Sequence, residues 1–199
     1  MLKPVWSRQF NRMVPQVDRR AFIGIVAAGG AGYVWFASRP LVPEPGVALR
    51  VPIAEFDSSG MRLGVSEVDS VRKSDAEWRK RLPLDSYMVI RRKDTELAFA
   101  GAFHNFDRPG LYRCIGCDTA VFDSKAKYAS GTGWPAFTEP VAKENVVESA
   151  DVNFGLRQTE VKCARCWGHL GHLFDDGPPP AGLRYCINSV ALRFVHYFT

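Results

Sequence analysis

The sequence predicts a mainly β domain with antiparallel sheets and little helix, and three observations carry that expectation. Beyond Pro83 the chain breaks into short runs rich in β-branched and aromatic residues, separated by Gly, Asp and Pro turns. Only one stretch, residues 74–82, has both a helix start and a helix stop. Two Cys-x-x-Cys hooks, Cys114-Ile-Gly-Cys117 and Cys163-Ala-Arg-Cys166, stand 45 residues apart and suit a metal-bound staple between strands.

The first 38 residues read as a leader. Lys3, Arg8, Arg12, Arg19 and Arg20 stand against Asp18, and residues 21–38 carry no charge. Paired arginines before a weakly hydrophobic, Gly-containing run resemble a twin-arginine export signal, with an uncleaved membrane anchor as the alternative. The first reading implies the bacterial periplasm; the second adds a tether to the inner membrane. The leader also explains most of the net charge of +5. With little excess charge left for the folded part, no basic face for nucleic acid is expected.

Residues 39–71 contain several prolines and no sustained periodicity, which reads as a linker before a folded unit at 72–199. Ser74-Asp-Ala-Glu77 is a capping box, Trp78 and Leu82 lie one turn apart, and Pro83 ends the run. Strands are expected at residues 87–90, 97–103, 111–113, 120–122, 145–148, 156–161 and 184–198. Alternation along the last would put Cys186, Asn188, Val190, Leu192 and Phe194 on one face.

Three constellations carry chemistry. Four thiolates in two tight turns suit a tetrahedral Zn2+ site, against which stand disulfides or a redox dithiol. Gly168-His-Leu-Gly-His172 offers two histidines, either as structural polar side chains in a glycine-rich turn or as acid–base groups near neutrality. Ser130-Gly-Thr-Gly-Trp-Pro-Ala-Phe137 holds an indole among glycines, as a core tryptophan or as a ligand platform.

Taken together and in this order, the motifs resemble the methionine-(R)-sulfoxide reductase (MsrB) family. The residues that carry the resemblance are the two hooks, Gly131-x-Gly-Trp-Pro-x-Phe137, His169-Leu-Gly-His172, Phe174-x-Asp-Gly-Pro178 and Arg184-Tyr-Cys-x-Asn-Ser189. It implies two antiparallel sheets in a β-tent (Mss4-like) arrangement. One structural Zn2+ would sit on Cys114, Cys117, Cys163 and Cys166, away from Cys186. It further implies that the Cys186 thiolate attacks the sulfoxide sulfur, leaving methionine and a cysteine sulfenic acid. His169, His172 and Asn188 would line the sulfoxide oxygen, with the histidines as proton donors. Trp134 and Phe174 would line the pocket, and Asp176 and Arg184 would orient it.

One departure from the family pattern matters. Many relatives place a resolving cysteine in the tryptophan loop, where this chain has Thr132. A one-cysteine cycle is therefore expected, closed by an external thiol or thioredoxin-like reductant. The remaining partners expected are oxidised proteins in need of repair, and the chain itself is expected to be a monomer. A zinc-stapled binding module and a thiol–disulfide oxidoreductase working through one hook are the rival readings.

Overall fold

The computed structural model describes residues 50–153 and 156–198; the leader and residues 39–49 of the linker lie outside them. Among the described residues the chain is mainly β, with three antiparallel sheets and two short helices. None of these helices is long and apolar enough to cross a membrane.

Strands β1 (Arg50–Phe56) and β2 (Arg62–Asp69) form a hairpin. The three-stranded sheet sets β3 (Gly110–Cys114) between β4 (Ala120–Asp123) and β11 (Leu192–His196). The six-stranded sheet runs β5 (Lys127–Tyr128), β6 (Ala136–Phe137), β10 (Arg184–Ile187), β9 (His169–Phe174), β8 (Leu156–Cys163), β7 (Val146–Asn153). One core joins the two larger sheets: Tyr112 and Phe122 from one meet Phe137, Leu170 and Ile187 from the other, all fully buried. Phe122 stacks on Phe137 at 4.5 Å between ring centroids, and Tyr112 meets Phe137 edge-on at 5.0 Å.

Helix α1 (Asp75–Arg81) starts as its sequence indicates. The Ser74 hydroxyl accepts from the Glu77 amide, and the Glu77 carboxylate accepts from the Ser74 amide at 2.7 Å. Trp78 is buried in the core and Leu82 joins it.

Four expectations from the sequence are corrected. Residues 50–69, assigned to the linker, are the hairpin β1–β2. Its turn is built by Asp57, whose carboxylate accepts from the Ser59 and Met61 amides at 2.9 Å. Buried Asn145 then clamps β1 to the domain: its amide oxygen accepts from the Ala54 amide at 2.8 Å. Its Nδ2 donates to the carbonyls of Ala54 and Ala120 at 2.9 and 2.8 Å. Residues 87–90 are not a strand but the middle of helix α2 (Leu84–Arg92). Four apolar residues fit either period, and here Pro83 opens a second helix: its carbonyl accepts from the Tyr87 amide at 2.9 Å.

Residues 97–103 form turns, because Phe99 has a left-handed φ of 66° that a strand cannot accommodate. Residues 184–198 are two strands in two different sheets, β10 and β11, joined by a 3-10 turn at Ser189–Ala191. The Glu96 carboxylate fixes that turn by accepting from the Ser189 and Val190 amides at 2.6 and 3.0 Å. Cys186 and Phe194 therefore do not share a strand face.

Candidate active site and thiol cluster

Each hook closes the end of a strand, and the two have matching backbones. The Asp118 and Trp167 amides, one residue past the second cysteine of each hook, donate at 2.8 Å to the carbonyls of Cys114 and Cys163. Both residues are left-handed, with φ of 66° and 57°. Each first cysteine then donates its amide five residues ahead, Cys114 to Thr119 at 2.8 Å and Cys163 to Gly168 at 2.9 Å.

This shared geometry aims four buried sulfurs at one point, all within 4.8 Å of one another. Closest approaches cross between hooks, 3.5 Å for Cys114 to Cys166 and 3.4 Å for Cys117 to Cys163. Sulfurs at the corners of a tetrahedron with 2.3 Å bonds stand about 3.8 Å apart, so four thiolate donors in this arrangement fit a metal ion. All five cysteines are free thiols. The cluster bolts β3 of one sheet to β8 of the other.

Cys186 lies elsewhere, in β10 near the middle of the six-stranded sheet. Register sets Glu160 of β8 opposite His172 of β9, and His172 opposite Cys186 of β10. Directly opposed residues share a face, so these three form a row across three strands. His169 should not join them, since an odd spacing along a strand reverses the face. A β-bulge brings it round: the register of β8 and β9 slips between Val161 and Lys162, leaving Leu170 as the extra residue of β9. The rings of His169 and His172 come to 5.1 Å, and His169 Nδ1 donates to Glu160 Oε1 at 2.9 Å. Nε2 of His169 is buried and makes no hydrogen bond within the protein. Next to it, Gly171 lets β10 close in, because a Cβ there would lie 2.0 Å from the Cys186 carbonyl oxygen.

Glu160 is the charge centre of this row, with its side chain only 2% exposed. Lys93, just past α2, approaches Oε2 at 2.8 Å and Lys162 at 3.5 Å. Burial alone would raise its carboxyl. The hydrogen bonds from His169 and Lys93 and the two lysine charges outweigh burial and hold the pKa at about 2. Glu160 is thus ionised and accepts the hydrogen bond from His169 Nδ1.

Arg184 packs on the other side of Cys186. Its guanidinium forks onto Asp176 with two bonds of 2.7 Å and lies 4.2 Å above the Phe174 ring. Thr132 contributes Oγ1 at 4.0 Å from the Cys186 sulfur, and Ser130 holds that hydroxyl at 2.8 Å. Burial pushes the Cys186 thiol above its ordinary range. The Arg184 charge, with hydrogen bonds from Thr132 and Arg184, pulls it part of the way back, and Asp176 opposes them.

The remaining expected site residues divide. Trp134, half-buried, is held by its indole N–H on the Glu96 carbonyl at 3.0 Å. Asn188, expected on the same strand face as Cys186, instead lies past the end of β10 and braces the backbone. Its Oδ1 accepts from the Glu96 amide at 3.0 Å and its Nδ2 donates to Leu170 at 3.0 Å. Sequence reasoning missed Glu160, Lys162 and Glu96. Polar residues at 158, 160 and 162 show that one face of β8 is polar, but the burial that gives Glu160 its effect comes from distant segments.

Fold and site set one half-buried cysteine among unlike polar groups, on a β scaffold whose two larger sheets meet at four further clustered thiols. Residues 82–196 match the SelR domain, more than half of the chain. A protein of Bradyrhizobium diazoefficiens named "Peptide methionine sulfoxide reductase MsrB" is 51% identical over 125 residues, covering 63% of this chain and 90% of that protein. Proteins of the same name from Pseudomonas fluorescens and Leptospira interrogans are 50% and 48% identical over 128 and 124 residues. They cover 64% and 62% of this chain and 98% and 95% of their own lengths. The chain belongs to the SelR family of MsrB proteins.

Proposed function

We propose that this protein reduces methionine-R-sulfoxide residues in proteins to methionine, with Cys186 as the nucleophile. The observation that supports it most is the row Glu160–His172–Cys186 with His169 swung alongside by the bulge. The sulfoxide oxygen is a poor leaving group until protonated, so an acid must stand beside the attacking sulfur. His169 fills that role: Nδ1 is tied to an ionised carboxylate, and Nε2 faces no other partner in the protein. His172, directly opposite Cys186, is the second donor. Trp134 and Phe174 offer apolar faces for the methyl group and side chain, and Arg184 favours the thiolate.

The oxygen passes from substrate to Cys186, giving methionine and a sulfenic acid. One external thiol then condenses with it, releasing water and leaving a mixed disulfide, and a second thiol frees Cys186. Thr132 cannot form a disulfide, and the other four thiols are buried in their own cluster. A thioredoxin-like protein is the partner this implies. Cys114, Cys117, Cys163 and Cys166 hold a zinc ion, which supplies cross-linking rather than chemistry. Residues 1–38 act as an export leader to the periplasm, which fractionation of cells expressing the full chain would check.

Turnover on separated R and S sulfoxide epimers tests the reading. Wild type consumes the R epimer, Cys186→Ser does not, and without reductant Cys186 accumulates as a species captured by sulfenic-acid traps. Equal activity in the variant, or none in wild type, sinks it.

A further inference from the structure

Two of the most exposed apolar side chains among the described residues belong to one short stretch. Leu97 is 80% exposed and Phe99 63%. This stretch is not a loose loop. Its Glu96 amide donates to Asn188 at 3.0 Å, its Glu96 carbonyl accepts from the Trp134 indole at 3.0 Å, and the Phe99 amide donates to Gly133 at 2.8 Å. The segment is pinned to the tryptophan loop while its apolar side chains are left in water.

Phe99 makes the arrangement explicit. Its φ of 66° is a conformation that an aromatic residue rarely adopts, and it persists only where surrounding bonds impose it. The ring lies on Gly133, where a Cβ would come within 2.8 Å of Cδ2 and 2.9 Å of Cε2. Gly133 separates Trp134 from Thr132, whose hydroxyl reaches the Cys186 sulfur at 4.0 Å. The Phe99 ring thus borders the mouth of the Cys186 site, two residues along from Leu97.

We infer that Leu97 and Phe99, beside Trp134, are a docking surface for an apolar side chain next to the oxidised methionine of a peptide substrate. This inference rests on the function proposed above and names the residues that select among its substrates. Methionine mostly sits in apolar surroundings, so apolar residues are common company for its sulfoxide. Two side chains are far too small a patch for a stable dimer, whose interface takes roughly 800 Å² from each partner. They are enough to hold one side chain beside the reacting group.

Pentapeptides with a central methionine-R-sulfoxide flanked by Leu or by Gly test the inference on the full chain, with dithiothreitol as reductant. The readout is the ratio of kcat/KM for the two peptides. Wild type favours the Leu-flanked peptide by about tenfold, the scale expected for burying most of one apolar side chain. Leu97→Ser and Phe99→Asn each reduce that ratio severalfold; Asn tolerates the left-handed backbone, so the second variant removes the ring while keeping the turn. Leu63→Ser on the β1–β2 hairpin keeps the wild-type ratio. A wild-type ratio near one, or an unchanged ratio in both loop variants, overturns the docking surface while leaving sulfoxide reduction intact. Turnover of neither peptide overturns sulfoxide reduction itself, and the surface with it.

Discussion

The four clustered cysteines and Cys186 are the same side chain in opposite surroundings. In the cluster each sulfur faces other sulfurs, the backbone repeats from one hook to the next, and all four residues are buried. Cys186 is only half-buried and is ringed by Arg184, Asp176, Thr132 and His172, contributed in turn by β10, the loop after β9, the tryptophan loop and β9. A cluster of identical donors can be assembled by two copies of one short turn. A reactive thiol needs unlike groups drawn from distant segments, which only the completed sheet can collect.

The largest expected effect breaks the molecule at the cluster and spares it at Cys186. Structural metal in small domains contributes roughly 10 kcal/mol or more, comparable to the whole stability of a domain. Cys163→Ala, or stripping metal from wild type with a chelator, should therefore abolish the cooperative thermal transition followed by circular dichroism. Cys186→Ser should melt within a few degrees of wild type. Were Cys163→Ala to melt like wild type, the cluster would not be the staple that its geometry suggests.

Glu160 sharpens the comparison from the other side, because it ties stability to the site. Its pKa of about 2 in the folded chain, against 4.5 ordinarily, corresponds to about 3 kcal/mol at neutral pH. The folded value is depressed, so this stability is complete above the unfolded pKa and is lost as pH falls from about 4.5 towards 2. Glu160→Gln should lose about that amount in urea unfolding at pH 7, and the gap from wild type should narrow by about pH 3. A constant gap across that range would mean that shape, not charge, is what Glu160 supplies. The variant should also slow R-epimer turnover, since His169 loses the carboxylate that orients its ring through Nδ1.

What could be read in the sequence follows the same division. The hooks, the capping box at Ser74 and the strands at 111–113, 120–122 and 156–161 depend on neighbours a few residues away, and each forms as expected. The strand expected at residues 87–90 is a helix instead, because four apolar residues fit either period and nothing local to them decides it. The β1–β2 hairpin depends on Asn145, which lies 91 residues beyond Ala54 and supplies the bonds that a third strand would have given. The C-terminal run alternates well enough for one strand. Its break at Asn188 is imposed by Glu96, 92 residues earlier, through bonds that no local pattern records. The motifs name His169 and His172 as candidates, but how the two share a face is visible only with the bulge at Leu170.

The smallest expected effect is also the most direct reading of the Cys186 environment. Burial raises this thiol, and Arg184 is the foremost group opposing that rise, while Asp176 adds to it and Tyr128 lies close enough to feel the thiolate. Iodoacetamide alkylation reports the thiolate fraction, and in folded protein the four clustered thiols are buried, so Cys186 alone should react. Removing the guanidinium in Arg184→Gln leaves burial less opposed, and the alkylation curve should move to higher pH. Asp176→Asn removes a negative charge that disfavours the thiolate, and the curve should move the other way. Asp176 also holds the Arg184 fork in place over Phe174, so its loss loosens the guanidinium and the second shift should be the smaller of the two. Shifts of the same sign in both variants would show that the fork acts on Cys186 by packing rather than by charge. The contrast with the cluster would then rest on access to the sulfur alone.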